Sequence, residues 1–275
     1  MSFSVNTNTG AQVALQYLNA TQGQLDQTQS AINSGLRVAT AKDDGAIYAI
    51  AQNQRGAVAG FASVINSLNN GSSAIDVALS AGQSISDLLI QLKTKALSAA
   101  DSSLDTASRQ ALNANFTALR DQITTIVQNA SFNGTNMVDG STANFQALAS
   151  ADGARKITVD GQTLKLSGVI VTIKSTSTIS TAAKASTMIA TINTSIQNVN
   201  AALAKMASGV KKFTIQAQFV SKLVDTLNAG IGNLVDADMA VESAKLQSLQ
   251  VKQQLGIQAL SIANAAPGIT LSLFR

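Results

Sequence analysis

The sequence predicts a mainly α fold: an elongated rod of long heptad-patterned helices, with a small β-hairpin insertion and with the terminal helices pairing as a coiled coil. Three observations carry that prediction. Apolar residues recur at three- and four-residue spacing through both ends of the 275-residue chain. The period changes to two only near the middle. Charged residues make up just 12% of the chain, about half of the ~25% usual in soluble domains, and Asn, Gln, Ser and Thr fill their place. A thin helical molecule of this kind buries little within one chain, so its apolar stripes must find other chains.

The first stripe is Ala11, Leu15, Leu18, Leu25 and Ile32, with Gln22 and Gln29 at the intervening seam positions. It predicts a helix over about 9–34, ended by Gly35 in the place of a C-terminal glycine, with Leu36 as the apolar contact beyond it. Asp43 and Asp44 then offer acceptors for a new helix start. Val58, Phe61, Ile65, Leu68, Ile75, Leu79, Leu89 and Ala96 keep one register across Asn69-Asn70-Gly71. Local chemistry alone reads that tripeptide as a turn, but a turn has no reason to preserve register, so a continuous helix is predicted through it. Asp101-Ser102-Ser103 breaks this helix. Ser102 with Asp105 has capping-box spacing, and Leu112, Phe116, Leu119, Ile123 and Ile126 form the next stripe.

From 131 to about 180, Asn133-Gly134, Asp139-Gly140, Asp152-Gly153 and Asp160-Gly161 punctuate short β-rich runs. The strand candidates are Lys156–Val159, Gln162–Leu166 and Val169–Ile173, with Asp160-Gly161 as the hairpin turn. Ser175–Thr181 reads as a loop. Helical spacing returns at Ile189 and runs through Ile196, Leu203, Val210, Phe213, Val220 and Leu227 to Leu234. Beyond it the stripe drifts to Leu246, Leu249, Leu255, Leu260 and Ile262. No charge precedes Asp26, and none lies between Lys252 and Arg275.

Composition excludes much chemistry. The chain has no Cys, His or Trp; a disulfide framework, a thiolate nucleophile, a zinc-thiolate site and an imidazole base are therefore out of reach. Lys, Asp and Glu are the acid–base groups left, and a charge-poor rod gives them no pocket in which to converge, so neither an enzyme nor a cofactor is expected. Asp43-Asp44 and the Asp236/Asp238 pair read as helix caps rather than metal ligands. A net charge of +4 without a Lys/Arg cluster argues against nucleic acid. No apolar run reaches about 18 residues, so no membrane insertion is expected. Met1 to Asn6 lack a basic region leading into an apolar core, so no Sec-type signal peptide is expected.

Several runs occur at both ends in matching order. Asn6-Thr7-Asn8, Ser34-Gly35-Leu36-Arg37, Ala41-Lys42-Asp43-Asp44 and Ala49-Ile50-Ala51 resemble the amino-terminal pattern of bacterial flagellin. Val235-Asp236-Ala237-Asp238, Glu242, Gln253-Gln254-Leu255-Gly256, Ala263-Asn264, Pro267 and Leu271-Ser272-Leu273 resemble its carboxy-terminal pattern. The resemblance implies a type III-exported, secreted subunit that polymerises into the extracellular flagellar filament for swimming, in a short form lacking large outer domains. It implies a discontinuous inner domain of residues 1–42 and 236–275 and a central helical domain of residues 43–235, the latter carrying the insertion at about 131–180. The partners it implies are further copies of the chain, other flagellins, an export chaperone, hook-associated junction proteins and a filament cap. A hook–filament junction protein, or another exported helical protein, is the alternative, and such a protein would lack the two joint terminal patterns.

Two residue sets follow for assembly. Leu15, Leu18, Leu25, Ile32, Leu249, Leu255, Leu260, Leu271 and Leu273 are expected to pack between subunits. Arg37, Lys42, Asp43, Asp44, Asp236 and Asp238 are expected to meet at one level if the ends pair antiparallel, and to set a connector between layers, either as ion pairs or as separate caps.

Overall fold

The computed structural model describes residues 7–272, with side chains through residue 265. Five helices dominate: α1 (Thr9–Ser34), α2 (Gly45–Ala99), α3 (Thr106–Asn129), α4 (Ala182–Val235) and α5 (Met239–Ser272). The strands are short: β1 (Ser131–Phe132), β2 (Thr135–Asn136), β3 (Asn144–Leu148) and β4 (Lys156–Asp160). The mainly α expectation holds. The chain divides into a terminal unit, Met1–Gly56 with Thr226–Arg275, and a central unit, Ala57–Asp225.

The central unit owes its order to heptads. Its largest buried side chains on α4 recur at every seventh position, Ile192, Val199, Met206, Phe213 and Val220. On α2 the matching series is Leu68, Ile75, Leu89 and Ala96, all buried, with Gly82 filling the missing place. A Cβ on Gly82 would stand 2.6 Å from Leu203 Cδ2, so the α4 leucine occupies that layer. Phe116, Ile123 and Val127 bring α3 into the same core. Asn69-Asn70-Gly71 lies inside α2, as its register predicts.

The reason for that glycine lies in the hairpin. A Cβ on Gly71 would fall 2.7 Å from both Phe145 of β3 and Phe213 of α4, two rings that meet edge to face with centroids 6.2 Å apart. Gly60 accepts Ala151 and Gly209 accepts Val159 in the same manner, at 2.8 and 2.5 Å. Three helix glycines are thus notches into which the β3–β4 hairpin is keyed.

The β region departs from expectation. Asn133 and Gly134, at φ 48° and 79°, make the two-residue turn between β1 and β2, the geometry that Asn-Gly favours. β3 and β4 pair antiparallel from Asn144↔Asp160 to Leu148↔Lys156, so their loop contains Asp152-Gly153 and the Asp160-Gly161 hairpin turn is corrected. Asp160 instead ends β4, and Gly161 is needed because a Cβ there would lie 2.2 Å from the Thr142 carbonyl oxygen. Gln162–Leu166 is no strand; it makes two backbone bonds, from Gln162 N to Met137 O and from Leu164 N to Val138 O. Val169–Ile173 folds back as a loop. Asn198 Nδ2 donates to the carbonyls of Val169 and Ile170 at 3.3 Å, doing what a neighbouring strand would do. The start of α3 is corrected as well: Asp105, not Ser102, is its N-cap and accepts from Ser108 N at 3.0 Å.

Candidate functional site: the terminal helix pair and its connector

α1 and α5 pair antiparallel within the terminal unit. Asn8 caps α1 and its Nδ2 donates to Ala263 O at 2.6 Å. Further along, Gln253 Nε2 donates to Gln22 Oε1 at 2.6 Å. Turned away from solvent on α1 is the series Ala11, Ala14, Leu18, Thr21, Leu25, Thr28 and Ile32, beside which Ala31 is also part-covered, and on α5 the series Glu242, Leu246, Leu249, Gln253, Gly256, Leu260 and Ala263. Both series alternate steps of three and four, the spacing of a coiled-coil seam. The expected seam places for Gln22 and Gln29 are therefore corrected: Thr21 and Thr28 hold them, and the glutamines flank the seam, exposed. A threonine is short enough for close helix approach, whereas a glutamine can reach across from the flank.

The expected packing residues separate into two groups. Leu25 and Leu249 are buried inside the single chain, at 5% and 3% exposure, and Leu18, Ile32 and Leu260 are half-buried in the same seam. Leu15 and Leu255 stand outside it at 47% and 57% exposure. The Leu271 and Leu273 side chains lie outside the described residues.

The drift of the α5 stripe now has a cause. Leu246, Leu249 and Leu260 belong to the seam with α1, whereas Leu255 and Ile262 belong to another. Val241, Ala244, Ser248, Val251, Leu255, Gln258 and Ile262 also alternate steps of four and three, and every one is exposed. At 100° per residue this second seam lies roughly opposite the first. α1 adds Val13 and Tyr17, one turn apart and both exposed. In the sequence the two interleaved heptads read as one irregular stripe, which hides the seam of Val241 and Val251.

The connector joins the ends of four helices. Arg37 N and Val38 N donate to Val235 O at 2.7 and 3.2 Å, and Ala237 N donates to Gly35 O at 2.9 Å, a bridge centred on Leu36 and Asp236. Gly35 makes the turn possible at φ 71°, a left-handed conformation that costs glycine little. The Arg37 guanidinium donates to Leu234 O at 2.7 Å, covering a carbonyl that the end of α4 leaves open. Asp44 Oδ1 accepts from Ala46 N and Ile47 N at the start of α2. Asp238 Oδ1 accepts from Ala240 N and Val241 N at the start of α5. Among the described residues no ion pair joins Arg37 or Lys42 to Asp236 or Asp238. Of the two alternatives, the caps and backbone bonds are what the structure holds: Arg37, Asp44 and Asp238 each bond an open helix-end group.

Asp43 holds the linker between α1 and α2 in a turn. Its Oδ2 accepts from Thr40 N at 2.8 Å, Ala39 N at 3.1 Å and Thr40 Oγ1 at 3.1 Å. These bonds, the Thr40 backbone bond first, hold its carboxyl below the ordinary 3.8. A folded value lowered in this way gives stability that is present above the unfolded pKa and is lost as pH falls through the folded one. Asp43→Asn is expected to weaken the turn at neutral pH and to remove its share of the acid dependence, checked by hydrogen exchange of residues 39–43 at neutral pH and below pH 4. Equal exchange in both proteins at neutral pH would refute it.

Among the described residues no helix is long and apolar enough to cross a membrane. The family model of the bacterial flagellin N-terminal helical region matches residues 5–143, and that of the C-terminal helical region matches residues 189–274. Flagellin FljK of Caulobacter vibrioides is 52% identical over 272 residues, which are 99% of this chain and 98% of that protein. Flagellin FljM of the same species is also 52% identical over the same shares. A flagellin of Brucella melitensis is 32% identical over 281 residues, 99% of each chain. With the paired terminal helices in place and relatives matched from end to end, the chain belongs to the bacterial flagellin family, structural proteins that polymerise into the extracellular flagellar filament and are not enzymes.

Proposed function

We propose that the terminal pair is the polymerisation surface of this subunit, with the second seam of α5 as its principal contact to neighbouring copies. The observation that carries this reading is that α5 bears two heptad seams and α1 covers one. Val241, Val251, Leu255 and Ile262 are 58, 55, 57 and 72% exposed, a row of apolar side chains that water disfavours and a helix of another copy would cover. Leu15, with Val13 and Tyr17, extends the apolar surface onto α1. Leu18, Leu25, Ile32, Leu249 and Leu260 act at one remove by holding the pair together. Residues 1–42 and 236–275 are the discontinuous assembly domain in this reading, and residues 43–235 the central helical domain. Arg37, Lys42, Asp43, Asp44, Asp236 and Asp238 form the connector between them. The amphipathic ends are also the natural targets of an export chaperone before assembly, and of hook-associated junction proteins and the filament cap at the two ends of the polymer.

Leu255→Asp tests the reading. Leu255 is exposed within one chain, so the carboxylate leaves the monomer's helix content and unfolding midpoint unchanged. In a dry contact between copies an unpaired carboxylate costs several kcal/mol, repeated at each subunit. Electron microscopy is expected to find no filaments. Filaments of normal length and yield would show that the second seam is not an assembly surface.

A further inference from the structure

We propose that the clamp between Gly35–Val38 and Leu234–Ala237 selects one of two heptad registers open to the α1–α5 pair. The inference rests on the reading above, because the register decides which apolar stripes line up for a second copy.

α1 presents the same docking pair twice. Leu18 with Gln22 and Leu25 with Gln29 have identical spacing and lie one heptad apart. The first pair is engaged: Leu18 Cδ1 lies 3.3 Å from where a Cβ on Gly256 would sit, and Gln22 accepts from Gln253. Gly256 is a notch for a leucine, kept at a helix-interior place where glycine is a poor helix former. Sliding α1 by one heptad toward the C-terminus of α5 would bring Leu25 to Gly256, Gln29 to Gln253 and Ile32 to Leu249. The slide measures about 10 Å at 1.5 Å per residue.

Charges flanking a seam normally forbid such a slide. Here the sole charge of α1 is Asp26, and α5 has none beyond Lys252. Asp26 Oδ1 accepts from Gln22 Nε2 at 2.8 Å and so orients the first glutamine, but Asn33 stands at the same spacing from Gln29. The observed register also leaves Thr28 Oγ1 buried with no hydrogen-bond partner among the described residues, and Glu242 Oε2 with no hydrogen bond there but an ion pair to Lys245 Nζ at 3.5 Å. In the shifted register Glu242 falls beyond Ile32 and leaves the seam.

What fixes the observed register lies at its two ends. Asn8 binds Ala263 O, and the clamp supplies three backbone bonds, the Arg37–Leu234 bond and the buried side chain of Val38. With the clamp open, residues 35–44 can extend to about 33 Å, enough length for α1 to move. The clamp residues are thus positioning residues for the seam.

The chain has no cysteine, so paired cysteines can read the register. Ala14→Cys with Leu260→Cys reports the observed register, one turn from the Leu18–Gly256 contact, and Thr21→Cys with Leu260→Cys reports the shifted one. Dilute full-length chain is oxidised, and the intrachain crosslink is followed by gel mobility. In the otherwise native sequence the first pair is expected to close at least tenfold faster. Arg37→Pro removes one backbone rung and the guanidinium; Ala237→Pro removes the rung from the other side. Each is expected to raise the ratio of second to first crosslink at least tenfold, and adding Gln29→Ala, exposed in the observed register and engaged in the shifted one, is expected to reverse the rise. A pair that merely loosens slows both crosslinks and leaves the ratio alone. An unchanged ratio in both proline variants, or a rise that survives loss of Gln29, would overturn the proposal. The crosslinks are read on unpolymerised chain, so their failure leaves the Leu255 result standing, and normal filaments from Leu255→Asp leave the register result standing.

Discussion

Leu25→Asp is expected to separate α1 from α5 and abolish polymerisation while the central unit stays folded. Leu25 is 5% exposed within one chain, in a seam whose nearest turns hold Thr21, Thr28 and Leu18. Losing a buried leucine costs about 2–5 kcal/mol, and a carboxylate put in its place adds the cost of an unpaired buried charge. The sequence has no cation between Met1 and Arg37 to compensate from α1, and the nearest on α5 are Lys245 and Lys252. Circular dichroism should show the loss of part of the helix signal, with the cooperative transition of the central unit retained. That retention follows from the core, because the large cluster from Val64 to Val220 includes none of the described side chains of α1 or α5. Leu25→Asp and Leu255→Asp then differ in kind. The first breaks the pair within a monomer and the second does not, yet neither should form filaments. Filaments from Leu25→Asp would mean that assembly does not need the α1–α5 pair.

The helices were legible in the sequence wherever a single heptad ran alone. α1 begins and ends where the stripe and Gly35 put it, and α2 continues through Asn69-Asn70-Gly71 because register outweighs local turn chemistry. Reading failed where two patterns shared one element or where a long-range contact replaced a local one. On α5 an inner and an outer heptad lie on opposite faces, so the apolar residues looked scattered. At Gly60, Gly71 and Gly209 the demand comes from hairpin side chains far away in sequence, which no window of local spacing contains. The Gln162–Leu166 and Val169–Ile173 runs have strand composition, but Asn198 and the Met137-Val138 backbone satisfy them without a ladder. The connector was legible as a meeting of charges with helix caps as one of its two readings, and Asp44 and Asp238 do cap α2 and α5; the Arg37 bond to Leu234 O was not legible, since an open helix-end carbonyl leaves no trace in composition.

Reversing the connector charges is expected to separate those two chemistries. Arg37→Asp removes a charge-assisted hydrogen bond to Leu234 O, worth about 1.5–3 kcal/mol. It also sets a carboxylate beside carbonyl oxygens at the C-terminal end of α4, where the helix dipole adds about 0.3–1 kcal/mol against it. Asp236→Arg has less to lose. The residue is exposed, its backbone N donates to Gly232 O at 2.8 Å whatever the side chain, and its carboxylate lies over Gly232 rather than against a cation. A change within about 0.5 kcal/mol is expected for such a surface position. If the charges formed a pair, the double reversal would recover much of the loss. Because Arg37 serves a carbonyl, an aspartate at 37 has nothing to gain from an arginine at 236, whose guanidinium would have to leave its own side of the bridge to reach it. Urea unfolding of both single variants and the double variant should therefore give additive losses, with filament yield following Arg37→Asp alone. A favourable coupling above about 1 kcal/mol, outside the scatter of independent sites, would restore the ion pair and displace the cap.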